Sequence, residues 1–216
     1  MTKYHCIILI ISSFILFSCK NADDNPVTTI DPQIQNSFIP LAVGNKWVYI
    51  DSVITTQYGL HDTTSNMLVK VDSVSIISKW TYKNYTLFGQ KYSSVNILGS
   101  FDYSILVRND SVFNARLLET DDFRDSLEMV LLYPMPPTQG EMDYGNGYYA
   151  SMHKNRINTL VGIFDEYYLF AYKSHDSTFV VPKVGVVKRV TDYMDTRLYP
   201  TRTRRITNLI RYDIVP

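Results

Sequence analysis

Residues 45–55, NKWVYIDSVIT, carry the clearest fold signal in this sequence, because their side chains alternate with a period of two. Successive side chains of a β-strand point to opposite faces of the sheet. The alternation places Val48, Ile50 and Ile54 on one face, and Trp47, Tyr49 and Val53 on the other. The stretch therefore predicts a β-strand with large side chains on both faces.

The segments that follow repeat this pattern. Residues 66–77, NMLVKVDSVSII, place Met67, Val69 and Val71 on one face, with Lys70 and Asp72 opposite. The chain also contains 17 Tyr and 10 Phe, and aromatic and β-branched residues favour strands over helices. We predict an all-β fold: a single, strongly curved antiparallel sheet, half-barrel or barrel-like, of about nine to eleven strands.

Local signals refine this prediction. Asn109 and Asp110 lie between two strand-like segments and suit a tight hairpin turn. The best helical window is residues 117–131, where apolar residues recur at i, i+4, i+7 and i+8, so we expect at most one or two short helices. Residues 131–149 are rich in Pro and Gly and predict a loop.

The N-terminus resembles the signal of bacterial lipoproteins. Residues 6–17 are almost wholly apolar, but a span of about 20 residues is needed to cross a bilayer. The run ends at Leu16-Phe17-Ser18-Cys19, which resembles a lipobox with cleavage between Ser18 and Cys19. The resemblance implies that fatty acyl groups such as palmitate are attached at Cys19. An ordinary cleaved signal with an incidental cysteine, or a transmembrane anchor, are the alternatives.

This interpretation gives three regions: a signal peptide over 1–18, the lipidated Cys19 with a flexible tether over 19–36, and a single β-rich domain over 37–216. Lys20 differs from the Asp of an inner-membrane retention signal, so we expect an outer-membrane location, facing either the periplasm or the outside. Removing residues 1–19 leaves 20 basic and 21 acidic residues. That balance argues against a nucleic-acid partner.

Two motifs resemble a family of uncharacterised bacterial outer-membrane lipoproteins. The first is Pro-Leu-x-x-Gly-Asn-x-Trp-x-Tyr, carried by Pro40, Gly44, Asn45, Trp47 and Tyr49. The second is Pro-x-Val-Gly-x-Val-Lys, carried by Pro182, Gly185 and Lys188. The resemblance implies an all-β domain and no known reaction.

The residues of the first motif also have a structural interpretation. Pro40 lacks a backbone donor and suits the start of an edge strand. Gly44 and Asn45 suit a turn with positive φ. Trp47 and Tyr49 are expected to bury their rings on one face of the sheet.

No catalytic or metal-binding pattern is recognisable in the sequence. The histidines after the signal, His61, His153 and His175, lack the short spacing of a zinc site, and the acidic stretch 119–128 lacks the glycine of a calcium loop. No Gly-x-Ser-x-Gly elbow or glycine-rich phosphate loop is present. We therefore predict a non-enzymatic protein without a cofactor or metal; a hydrolase with two carboxylates is the less favoured alternative.

The tyrosines of residues 143–150 are the candidate binding residues. Tyr144, Tyr148 and Tyr149 lie in DYGNGYYA, and exposed tyrosines stack on sugars or partner proteins. The opposite interpretation is that they shield the ends of the sheet. We predict a binding role at the membrane, with an envelope protein or a small apolar or glycan ligand on the curved sheet. A structural or assembly accessory of the outer membrane is the alternative.

Overall fold

The computed structural model describes residues 38–60, 62–94, 100–118, 126–137, 139–173, 175–196 and 200–215. The predicted signal peptide with Ser18, the predicted lipidation site Cys19, the predicted tether, His61 and most of the acidic stretch 119–128 lie outside these residues. No described segment forms a helix long and apolar enough to cross a bilayer.

The described residues form fourteen strands and no helix. The strands are β1 Lys46–Tyr58, β2 Thr63–Tyr82, β3 Tyr85–Ser94, β4 Ser100–Arg108, β5 Ser111–Leu118, β6 Ser126–Tyr133, β7 Glu141–Asp143, β8 Tyr148–His153, β9 Ile157–Thr159, β10 Gly162–Phe164, β11 Tyr167–Tyr172, β12 Asp176–Val181, β13 Gly185–Asp195 and β14 Thr201–Asp213.

Twelve strands form one antiparallel sheet in the order β6-β5-β4-β3-β2-β1-β14-β13-β12-β11-β8-β7. The first and last strands of the chain are therefore neighbours at its centre, and hairpins extend outward from them in both directions. We call β1–β6 the N-terminal half-sheet, and β14 to β7 in this order the C-terminal half-sheet. The sheet is open, with β6 and β7 as edge strands, and β9 and β10 pair separately.

The sheet curves so strongly that its two halves face each other. Tyr133, at the end of β6, packs on Phe170 of β11 with ring centroids 5.3 Å apart, and it accepts a hydrogen bond from Arg189 of β13. These strands are seven or more positions apart in the sheet order. Register shifts that bend strands interrupt several pairings, including β1 with β14 at Val48/Tyr49. The predicted curved antiparallel sheet is therefore present.

The predicted strand number is wrong, whereas the described residues contain no helix, which lies within the expected limit of one or two. Fourteen strands replace the expected nine to eleven, because three strands of only three residues were too short to leave a periodic signal. The helical window 117–131 instead contains the ends of β5 and β6, which pair with Leu117 opposite Leu127. Residues 131–149 are only partly loop, since they include the end of β6, all of β7 and the start of β8. The turn at Asn109 and Asp110 is confirmed, with φ of 49° and 57°.

The alternation of β2 is present, but the charged face is the inner one. Asp72 is buried, whereas Met67, Val69 and Val71 are 64%, 46% and 37% exposed. The expected edge strand after Pro40 is also wrong, because β1 pairs with both β2 and β14. The main core lies between the two half-sheets and includes Trp47 and the segment before β1, where Phe38, Ile39 and Leu41 are buried.

Candidate functional site

A cavity of about 360 Å³ opens into the concave face of the sheet. Its size lies within the usual range for small-molecule sites, which are concave, largely apolar and equipped with a few polar groups. Most of its wall is apolar, contributed by both half-sheets and by the segment before β1: Ile39, Leu41, Val74, Ile105, Val112, Leu132 and Val186. A second, more open depression of about 610 Å³ surrounds Val48, Val71 and Ile210, and has no comparable apolar enclosure.

The two sequence motifs meet at this cavity. Trp47 and Tyr49 line it, and the Trp47 Nε1–H donates to the Val184 carbonyl at 2.6 Å. The Tyr49 hydroxyl donates to the Val186 carbonyl at 3.2 Å. Gly185 has φ +97°, and a Cβ there would lie 3.3 Å from Trp47 Nε1. The second motif thus supplies the backbone against which the aromatic rings of the first motif pack.

Asn45 of the first motif holds the start and end of the domain together. Asn45 is fully buried; its Nδ2 donates to the Pro40 carbonyl at 3.0 Å, and its Oδ1 accepts from the Val215 N–H at 2.8 Å. Gly44 occupies positive φ at +101°. Pro182 lies in the turn after β12, and Lys188 Nζ lies 5.6 Å from the centre of the Phe179 ring. Pro182 and Lys188 do not line the cavity.

One polar group of the cavity is an arginine paired with a tyrosine. Arg189 Nη2 donates to Tyr133 Oη at 2.7 Å, and both side chains line the cavity. Tyr133 raises the pKa of Arg189, and although burial works in the opposite direction, the guanidinium stays charged. Burial raises the pKa of Tyr49, with a further contribution from Tyr133, so Tyr49 remains a neutral phenol at physiological pH.

A second polar group joins β1, β2 and β14 through buried charges. Asp51 accepts from Arg205 Nε at 2.9 Å and from the Thr207 hydroxyl at 2.9 Å, and its Oδ2 lies 2.7 Å from Arg205 Nη2. Lys70 Nζ lies 3.0 Å from Asp72 Oδ2 and 3.5 Å from Asp51 Oδ2. Two carboxylates and two cations therefore balance each other within the cluster.

Neighbouring groups keep Asp72 ionised. Burial opposes its charge, but the nearby Ser94 hydroxyl, a hydrogen bond from the Tyr92 hydroxyl and the contact with Lys70 outweigh that effect, so the pKa of Asp72 lies below its ordinary value of 3.8. Asp72, Tyr92 and Arg205 all reach the cavity wall. The cluster thus forms a fixed, internally neutral polar side of an otherwise apolar space.

The predicted binding tyrosines are engaged in contacts within the protein. The Tyr148 hydroxyl donates to the Leu132 carbonyl at 3.0 Å, and the Tyr144 hydroxyl donates to the Met135 carbonyl. These bonds connect β8 and the turn before it to the end of β6 across the opening between the half-sheets. Tyr149 is 38% exposed, and none of the three lines the cavity.

The described histidines do not form a metal site. His153 stacks on Tyr167 with ring centroids 4.7 Å apart, and its Nε2 shares a hydrogen bond with the Ser151 hydroxyl at 2.9 Å. His175 lies in the turn before β12. Within the described ranges, no three His, Cys, Asp or Glu side chains are grouped so that they could hold a metal ion.

Sequence reasoning missed Arg189 and the Asp51–Arg205 cluster. One signal was available, because Asp51 shares the alternating face of Trp47 and Tyr49, which places a carboxylate at a position expected to be buried. A buried carboxylate requires a partner. Nothing local could identify that partner as Arg205.

Comparison with known proteins found similarity in solved structures alone. No protein-family model matches the chain, and no curated protein matches it. A "putative lipoprotein" from Parabacteroides distasonis is 14% identical, with a TM-score of 0.43 over 82% of this chain and 98% of that one. A "putative exported protein" with a YmcC-like fold from Bacteroides fragilis is 10% identical, with a TM-score of 0.41 over 82% of this chain and 99% of that one. Neither similarity is close enough to assign a function to this chain.

Proposed function

We propose that this protein is a non-enzymatic lipoprotein of the bacterial envelope, anchored through Cys19, whose curved sheet binds a small apolar ligand. The observation that carries the proposal is the cavity of about 360 Å³ between the half-sheets, with aliphatic and aromatic walls. A partly enclosed, mainly apolar cavity of this kind is the usual form of a ligand site. A concave face filled by its own side chains would have favoured a purely structural role.

The size of the cavity limits the ligand. A buried methylene contributes about 0.8 kcal/mol, so a chain that places about eight methylenes in the cavity gains about 6 kcal/mol before the cost of association. That gain corresponds to dissociation constants no tighter than about 40 μM for a purely apolar ligand. Tighter binding therefore requires polar contacts at the cavity wall.

Fluorescence quenching tests the proposal, because Trp47 lines the cavity and the chain has one other tryptophan, Trp80. In Trp80→Phe, Trp47 is the remaining tryptophan and reports on the cavity. We expect 8-bromooctan-1-ol, whose bromine quenches tryptophan at short range, to quench Trp47 saturably. The full chain is held in lipid nanodiscs, and Trp47→Phe, which retains Trp80, is the matched control. Quenching that is linear in probe concentration and equal in both variants would refute the proposal.

A further inference from the structure

We propose that Arg189 recognises an oxyanion at one end of the ligand, so that the ligand class is an apolar chain ending in a carboxylate or a phosphate. This inference rests on the proposed function, since it assigns the polar end of a ligand whose apolar part occupies the same cavity. The two ligand sources share one chemistry, a planar or tetrahedral oxyanion that a guanidinium binds through two parallel hydrogen bonds.

Arg189 differs from Arg205, which also lines the cavity, and from the nearby Lys70 in that it has no described carboxylate in direct contact. Arg205 is matched by Asp51 through contacts of 2.9 and 2.7 Å, and Lys70 is matched by Asp72 at 3.0 Å. No carboxylate among the described residues lies within 4 Å of the Arg189 guanidinium. A cation at an apolar cavity with no carboxylate in direct contact attracts an anion from solution.

The hydrogen-bonding groups around Arg189 are arranged to donate. A guanidinium has five N–H donors, and the described contact, to Tyr133 Oη at 2.7 Å, uses one of them. Because Tyr133 Oη accepts that bond, its own proton remains available to a ligand oxygen. Arg189 and Tyr133 therefore present donors from two opposing strands, β13 and β6, to the same space.

Among the described residues, the Asp176 carboxylate competes with a ligand for Arg189. Asp176 raises the pKa of Arg189 from a distance, after the larger effect of Tyr133, and its Oδ1 is buried without a hydrogen-bond partner among the described residues. A ligand oxyanion must bind against the field of this carboxylate. Two substitutions should therefore change anion affinity in opposite directions. Removing the Arg189 charge must weaken anion binding, and neutralising Asp176 must strengthen it.

The experiment compares three bromine-terminated probes of equal chain length on the Trp80→Phe chain in nanodiscs: 8-bromooctanoate, 8-bromooctyl phosphate and 8-bromooctan-1-ol. Empty nanodiscs are measured in parallel to correct for probe that enters the lipid. We expect at least one anionic probe to bind tenfold or more tightly than the alcohol. Whichever of the carboxylate and the phosphate binds more tightly identifies the oxyanion that the site prefers.

The variants separate charge recognition from folding. Arg189→Met is expected to abolish the preference for the anion and to keep binding of the alcohol, which also reports that the cavity has formed. Arg189→Lys is expected to keep part of the preference, and Asp176→Asn to increase it. Lys188→Gln removes the neighbouring positive charge, whose side chain does not line the cavity, and is expected to change nothing.

The outcomes are distinguishable. Equal affinity for alcohol and anions in the parent chain, or an anion preference that survives in Arg189→Met, would overturn the role of Arg189 and leave the apolar site in place. Saturable binding of none of the three probes would overturn the proposed function itself. If Arg189→Met does not fold, Asp176→Asn and Arg189→Lys decide, and an unchanged anion preference in both counts against the inference.

Discussion

Asp51 provides the most direct test of how the centre of the sheet is held together. Its side chain is fully buried and contacts Arg205, Thr207 and Lys70. Asp51→Asn keeps the shape and removes the charge, which leaves two cations with Asp72 as their one carboxylate in the cluster. Removing one partner of a buried ion pair costs about 3–5 kcal/mol.

The expected loss lies at the low end of that range. The Arg205 side chain is 45% exposed and can turn its charge toward water, whereas the Lys70 side chain is only 14% exposed. We expect Asp51→Asn to lower the free energy of unfolding by about 3 kcal/mol. With a urea slope of about 2 kcal/mol per M, the unfolding midpoint falls by about 1.5 M.

The assay is urea unfolding at neutral pH, followed by tryptophan fluorescence, with Asp192→Asn as the matched control. Asp192 accepts bidentate hydrogen bonds from the Arg202 guanidinium at 2.9 and 2.7 Å. The Asp192 side chain is 27% exposed and the Arg202 side chain is 52% exposed. Exposed pairs contribute little to stability, so the control midpoint should stay close to the parent value. A midpoint in Asp51→Asn no lower than in Asp192→Asn would refute the argument that burial of this cluster determines its importance.

Three further predictions concern pH, packing and anchoring. The folded-state pKa of Asp72 lies below 3.8, so the stability that its charge contributes is present at neutral pH and is lost as the pH falls below 3.8. In urea titrations, the difference in unfolding free energy between the parent and Asp72→Asn should therefore narrow between pH 7 and about pH 3. Gly185→Ala should lower the urea unfolding midpoint more than Gly145→Ala. Both glycines have positive φ, but a Cβ at Gly185 would lie against Trp47, whereas Gly145 has open space around it. Equal shifts of the two midpoints would contradict this packing. Cys19→Ala should leave the membrane fraction on carbonate washing and keep its β-sheet circular dichroism; continued sedimentation with membranes would contradict lipid anchoring.

Local features of the fold were predictable from the sequence, and pairings between distant residues were not. The turn at Asn109 and Asp110 follows from the conformations that these two residues tolerate. The apparent helical period of residues 117–131 coincides in part with β6, an edge strand in which Val130 and Leu131 are both partly exposed, so apolar residues occupy both faces and obscure the alternation. An edge strand has weaker burial constraints, and its hydrophobic period is correspondingly unreliable.

At the candidate site too, burial of individual residues was predictable from the sequence, whereas contacts between distant residues were not. Trp47 and Tyr49 were expected to be buried from their shared face and size, and both line the cavity. Arg205 meets Asp51 because β1 pairs with β14, a register that joins the two ends of the domain. Arg189 meets Tyr133 because the sheet curves, and curvature depends on the sum of many twists and bulges rather than on any single motif.

The central position of β1 and β14 has a consequence for how the protein is made. Lys46 pairs with Asp213. The pairing of β1 with β14 therefore joins residues that are among the first and the last of the domain to be synthesised. Contacts between such distant positions slow folding, and until β14 is synthesised both β1 and β13 present unpaired edges that other chains can join. A nascent chain that stops before Thr201 would hold two sets of hairpins with no strand to connect them, and we expect it to aggregate rather than to form a smaller stable domain.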